Sequence, residues 1–240
     1  MVYGKRGKIG IISPAPGAAT EMELHKVVPE GVAVLTTRIP LLVSNPDTLA
    51  SLADHAETAA CLLSEARPDL MVFCCTAGSF IKGVGYDKQI IKRLEDRTGI
   101  PSITTTTAVI EGLTTLGVRK VSLVTPYLNQ VTEAERLFME DSGFRVTSAA
   151  CLNYDDAFKI ANVGDDEVYE MVRRSVTAEA EAIFISCTGL TVMHLIEAIE
   201  KEFSLPVVTS NQTTAWSALR KLGIRDKIRG YGALFGCPAC

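Results

Sequence analysis

Three histidines, one tryptophan and no long apolar run mark this 240-residue chain, and each shortage removes a class of function. No segment approaches the roughly 18 consecutive apolar residues of a membrane-spanning helix. The opening MVYGKRGKIGIISPAPG has an apolar core too short, and too soon broken by proline, for a signal peptide, so the expected location is the cytoplasm. There is no basic block and no arginine stripe interleaved with aromatics; with a net charge of -4, neither nucleic acid nor an anionic membrane is an expected partner. No phosphate-cradling glycine motif is present: GVGYDK (83–88) has two of the needed glycines, lacks the third and follows no strand. No serine stands in a G-x-S-x-G elbow, and His25, His55 and His194 fall in helical patterns without partners at metal-ligand spacing. No metal or organic cofactor is expected.

What remains is an ordinary globular composition, 47% hydrophobic and 22% charged, with seven cysteines. An odd number of cysteines without an export signal argues for free thiols rather than a disulfide framework. The terminal CPAC is a lone C-x-x-C, better read as a tail than as a zinc or redox motif.

Short β-branched runs alternate with amphipathic segments. Eight strands are expected, at 8–13, 32–37, 70–75, 102–105, 121–125, 145–150, 182–187 and 206–210, with helical periodicity between them. Such alternation predicts α/β architecture with parallel sheets flanked by helices. The second half echoes the first. PSITTTTAVIEGLTTLGVRK (101–120) is answered by PVVTSNQTTAWSALRKLGIRD (206–226), and Pro14 precedes Cys75 by 61 positions, as Pro126 precedes Cys187. We therefore expect two similar lobes, 1–117 and 118–240, meeting at a cleft, with the C-terminal helices able to cross back onto the first lobe.

In open α/β sheets ligands sit beyond the carboxyl ends of the strands, near helix N-termini. Two cysteines fall there, Cys75 in VFCCTAG and Cys187 in FISCTGL, each followed by threonine. A helix N-terminus lowers a thiol from about 8.5 toward neutrality, so a thiolate is expected at each. Across a cleft, such a pair can take a proton from one face of a carbon and return it to the other, or one thiolate can add to an alkene. Cys61, Cys74 and Cys151 are read as packing residues, Cys74 pointing to the opposite face of its strand from Cys75. Arg38, after the second strand, is a candidate carboxylate anchor, against an ordinary surface arginine; the Thr-rich TTTT (104–107) and SNQTT (210–214) are read chiefly as helix caps.

The segments IGIISPAPG, DLMVFCCTAGS, TTAVIEGLTTLGVRKVSLVTPY, FISCTGL and LPVVTSNQTTAW together resemble the aspartate/glutamate racemase superfamily, within it the maleate cis-trans isomerase and arylmalonate decarboxylase branch. The resemblance implies two Rossmann-like lobes in pseudo-twofold arrangement, no cofactor, and Cys75 and Cys187 as the catalytic pair. It implies that Thr76, Ala77, Tyr127, Thr188 and Gly189, with Pro14 and Gly17 of the first loop, hold a small carboxylate. Family decarboxylases carry glycine where this chain has Cys75, so the implied activity is that of a two-cysteine isomerase or racemase. Arylmalonate-type decarboxylation and a non-catalytic acid-binding module are the alternatives. The asparagines with which maleate isomerases grip substrate are missing from PAPGAAT and from Asp156-Ala157, which points to a bulkier or less charged acid than maleate. The resemblance is compatible with a homo-oligomer.

Overall fold

A computed structural model of the chain describes residues 3–237. The first half runs β1 (Gly7–Pro14), α1 (Ala19–Val27), β2 (Val32–Ile39), α2 (Pro46–Ser64), β3 (Leu70–Phe73), α3 (Thr76–Phe80), α4 (Tyr86–Thr98), β4 (Ser102–Thr104) and α5 (Thr105–Thr115). The second half runs β5 (Lys120–Tyr127), α6 (Asn129–Asp141), β6 (Arg145–Tyr154), α7 (Ala157–Ala161), α8 (Asp165–Ser175), β7 (Ala182–Ile185), α9 (Ile196–Phe203), β8 (Val207–Thr209), α10 (Ser210–Lys221) and α11 (Ala233–Gly236). All eight expected strands form. β6 runs four residues past its expected end, and β3 and β7 stop two residues short of Cys75 and Cys187, which sit on the turns themselves. Cys240 of the terminal CPAC lies outside the described residues.

Two parallel four-stranded sheets result, in the orders β2-β1-β3-β4 and β6-β5-β7-β8. Each strand of the first has a counterpart in the second, so the repeat read in the sequence is a repeat of topology. Ile9, Ile11 and Ile12 of β1 are wholly buried, as expected of a strand covered by helices on both faces. In α2, Asn45 caps the Thr48 amide, Pro46 opens the helix, and Leu49, Leu52, Ala56, Ala60 and Leu63 recur at three and four to meet the sheet.

The strand order reverses between β1 and β3, and again between β5 and β7, which makes their carboxyl ends the switch points where a crevice opens. The halves are joined there by α5 and α10. Gly112 of α5 lets the two helices approach, since a Cβ on it would lie 2.9 Å from Thr213 Cγ2. Buried hydroxyls then meet across the joint, Thr105 with Thr214 at 3.0 Å. Glu23 of α1 reaches from the first half into the second, accepting the Val192 and Met193 amides at 2.8 Å each and the Asn211 amide group at 2.7 Å.

Candidate functional site

Both switch points open on one cavity. Cys75 and Cys187 line it together, with Pro14 and Gly17 from the loop after β1, Ala77 from α3, Tyr127 from β5, and Thr188 and Gly189 after Cys187. Apolar walls come from Pro16, Leu41, Leu49, Ala157 and Ile160, and among the described residues no arginine, lysine or histidine faces it.

Thr76 is the exception among the expected contacts: it does not line the cavity, because its hydroxyl turns across the joint to Ser210 Oγ at 2.9 Å. Thr188 does line it, but its hydroxyl donates to the Cys74 carbonyl at 3.1 Å. Neither threonine therefore offers a free hydroxyl. The groups left to the cavity are Tyr127 and backbone amides: those of Ala77 and Thr188 have no partner among the described residues. Arg38 is no anchor either. Its guanidinium donates to the Ala15 and Gly17 carbonyls at 3.2 and 2.7 Å and to Glu21 at 2.6 Å, bracing the first loop from behind. The caps are Thr104 and Thr209, each accepting the amide three residues on, while the hydroxyls that follow them are buried between the lobes.

The two thiols are held in matching ways. Cys75 Sγ accepts the Gly78 amide at 3.3 Å, and Cys187 Sγ accepts the Gly189 amide at 3.2 Å. Their electrostatics overturn the expectation of near-neutral thiols. Burial pushes Cys75 up to about 12, against the pull of the Gly78 amide. Burial likewise pushes Cys187 up to about 11, against the Tyr127 hydroxyl and the Gly189 amide. One or two amides do not offset the loss of water around a thiolate with no cation near it. Cys74, wholly buried and turned to the Val72 carbonyl, stays out of the cavity as expected.

Three features of the site were not singled out in the sequence. Cys187 has φ +113°, a conformation that L-residues rarely adopt, whereas Cys75 is extended at φ -146°. Ser210 Oγ fixes the Cys187 turn by accepting its amide at 3.0 Å. Glu135, on α6 behind Tyr127, is 1% exposed and accepts the Ser186 hydroxyl at 2.6 Å. Its signal was present in the sequence: 131, 132, 135, 138 and 139 form the buried face of α6, and one of them is a glutamate. Tyr127 is positioned by Phe80, whose ring stands edge-on to it at 6.4 Å.

The comparisons agree with this architecture. The family model described as arylmalonate decarboxylase matches residues 9–235. The chain is 29% identical over 223 residues to the arylmalonate decarboxylase of Bordetella bronchiseptica, covering 92% of this chain and 86% of that protein. It is 24% identical over 244 residues to the maleate isomerase of Geobacillus stearothermophilus, covering 96% and 97% of the two. A solved mutant of the Nocardia farcinica maleate cis-trans isomerase, with a covalently bound succinylcysteine intermediate, superposes with a TM-score of 0.93 at 22% identity, over 97% of this chain and 99% of that one. With the family match running from β1 to α11, the chain belongs to the arylmalonate decarboxylase family.

Proposed function

We propose that the protein is a maleate cis-trans isomerase-like enzyme, an isomerase or racemase in which Cys75 and Cys187 act without a cofactor on a small carboxylic or dicarboxylic acid. The observation that carries this is the meeting of two thiols, from equivalent turns of the two halves, in one cavity. The covalent succinylcysteine in the Nocardia farcinica enzyme supports thiol addition as the chemistry. Cys75 first gives its proton up to solvent; the thiolate then adds to one alkene carbon and the electron pair moves onto the carboxylate, giving an enediolate. The former double bond is then single and rotates; Cys187 gives the second carbon a proton and takes it back, and expulsion of Cys75 releases the trans acid. In the racemase version the same thiols remove and return the α-proton on opposite faces. The enediolate needs donors already in place, a role for the Tyr127 hydroxyl and the Ala77 and Thr188 amides worth roughly 3 kcal/mol of barrier each.

The lining favours an acid with one carboxylate and an apolar body over a free dicarboxylate. Two carboxylates would face an apolar wall of Pro16, Leu41, Leu49 and Ile160 with no cation opposite. Decarboxylation of an arylmalonate is the second reading, favoured by the family match and by that same wall. There Cys187 alone protonates the carbanion left by CO₂.

Assays with maleate, phenylmalonate and amino-acid enantiomers, following trans-acid formation, CO₂ release and α-deuterium exchange, separate these. On the two-thiol reading both Cys75→Ala and Cys187→Ala abolish turnover of whichever acid reacts. Full activity in both variants would sink it, and CO₂ release that survives only in Cys75→Ala would establish the decarboxylase. Tight acid binding with no turnover at all would leave a binding module.

A further inference from the structure

The turn that carries Cys187 is not held by its own half alone. After Cys75 the chain enters α3 at once, and the Ser79 and Ile81 amides bond to the Cys75 and Ala77 carbonyls at 3.1 Å each. After Cys187 no helix begins before Met193, so the amides that follow need another acceptor. Glu23, from α1 of the first half, provides it: one carboxylate oxygen accepts the Val192 and Met193 amides, and the other accepts the Asn211 side-chain amide. The same Asn211 nitrogen donates to the Thr188 carbonyl at 3.1 Å, and Thr20, one turn before Glu23, donates to that carbonyl at 3.0 Å.

The two halves differ here although their sequences match. Glu23 and Glu135 each stand nine positions after a proline near the end of a strand, Pro14 and Pro126, and both are buried. Glu135 stays in its own half on the Ser186 hydroxyl, whereas Glu23 crosses to the other. Holding the halves together would not by itself demand a carboxylate. Three N–H donors converge on Glu23, and an ionised carboxylate accepts on both oxygens, whereas a glutamine would set its own NH₂ against one of them. Asn211 cannot answer by turning over, because its oxygen would then face the Thr188 and Leu190 carbonyls.

We propose that Glu23 is a positioning residue for Cys187: from the opposite half it fixes the 187–193 turn on which that thiol and Thr188 line the cavity. Cys187 holds φ +113°, and such a conformation persists only where its surroundings over-determine it. Ser210 ties the start of the turn at the Cys187 amide, Asn211 and Thr20 tie the Thr188 carbonyl, and Glu23 ties the end while also holding Asn211. Glu23 itself does not line the cavity. It acts through the turn, and so couples the geometry of the second half's thiol to the placement of the first half. The inference rests on the two-thiol reading only for its consequence in turnover.

Glu23→Gln keeps the size and turns one acceptor into a donor. Iodoacetamide, or the smaller methyl methanethiosulfonate if the cavity excludes it, is reacted at one pH, and labelling of Cys187 is read against Cys75 in the same molecules by peptide mass spectrometry. As the turn relaxes, the Cys187-to-Cys75 rate ratio should rise about tenfold, the factor that one hydrogen bond to a charged group carries. A staple that merely joins the halves predicts that both thiols speed up together or that neither changes; an unchanged or lower ratio overturns the proposal. Thr105→Ala removes a bond at the joint without touching either turn and should leave the ratio at its wild-type value, so an equal shift there also overturns it. If E23Q does not fold, Thr20→Val decides: it keeps the shape, removes one tie to the Thr188 carbonyl and should move the ratio the same way by about threefold. Labelling needs no turnover. A moved ratio with no acid turned over removes the two-thiol enzyme and leaves Glu23 in its role, whereas an unmoved ratio with both thiols essential removes this inference alone.

Discussion

The two cysteine turns share a strand end, a sulfur–amide contact and a threonine, yet their surroundings differ. Around Cys75 the backbone is relaxed, and the preceding position is the inert, wholly buried thiol of Cys74. Around Cys187 the backbone is held at φ +113°, its amide is tied to Ser210, and the preceding position is Ser186, bonded to Glu135. A carboxyl thus stands behind one thiol and not behind the other. On the two-thiol reading proposed above, the asymmetry fits a division of labour in which Cys75 makes and breaks a bond to carbon and Cys187 handles a proton.

The sharpest way to break that comparison is to remove one thiol and look for an adduct on the other. Cys187→Ser incubated with a reactive cis acid should gain the mass of that acid on the Cys75 peptide, while turnover falls at least about a thousandfold. An adduct found on Cys187 in Cys75→Ser, and none in the reverse experiment, would exchange the roles. Next in size is the stability cost of the carboxyl that only the second turn possesses. The folded pKa of Glu135 is raised from 4.5 to about 8, so the folded state binds the extra proton. Stability from this group is complete below about pH 4.5 and is lost as pH rises through about 8. Glu135→Gln should remove that slope, and at alkaline pH should be more stable than the wild type by at most about 5 kcal/mol, read by denaturant titration at several pH values. A wild-type profile flat between those limits would place the carboxyl in contact with water and dissolve the asymmetry.

Much of this was legible in the sequence because it rests on local periodicity. The eight strands, the repeat and the arrival of Cys75 and Cys187 at one crevice follow from alternation and from equal spacing to Pro14 and Pro126. What was not legible depends on partners far along the chain. Thr76 looked like a substrate donor until Ser210, 134 positions later, took its hydroxyl. Arg38 looked free until Gly17 and Glu21 closed on it. The pKa of Cys75 was misjudged because the helix that follows it can be recognised from neighbouring residues, whereas burial is a property of the whole fold; at Cys187 the expected helix is absent as well, since none begins before Met193. Glu135 lies between these cases: its place on the apolar face is periodic, but its hydrogen bond to Ser186 is long-range.

A matched pair of hydroxyls sharpens the comparison at smaller scale. Thr105 and Ser210 open α5 and α10 at equivalent positions, but Thr105 meets Thr214, whereas Ser210 takes both the Thr76 hydroxyl and the Cys187 amide. Ser210→Ala leaves two buried donors unmatched and should cost about 1–3 kcal/mol, with turnover falling about tenfold as the Cys187 turn relaxes. Thr105→Ala should cost about 1 kcal/mol in thermal unfolding and leave turnover near wild type. Equal kinetic effects would mean that the joint as a whole, not the tie to Cys187, sets activity.

The smallest effect belongs to Arg38, and it separates a brace from an anchor. Its side chain is 36% exposed, and its ion pair with Glu21 is the kind of surface contact worth about 0–1 kcal/mol. The two bonds it donates to the Ala15 and Gly17 carbonyls hold the loop that lines the cavity, but no nitrogen of the guanidinium reaches the lining. Arg38→Met should therefore shift thermal stability by no more than about 1 kcal/mol and change KM for any acid by less than about twofold. A carboxylate anchor behaves otherwise, because removing a charged partner from a bound acid costs about 1.5–3 kcal/mol, or ten- to a hundredfold in KM. A rise of that size would mean that the first loop opens to bring Arg38 onto the substrate, giving the first half a cation to set against the carboxyl behind Cys187.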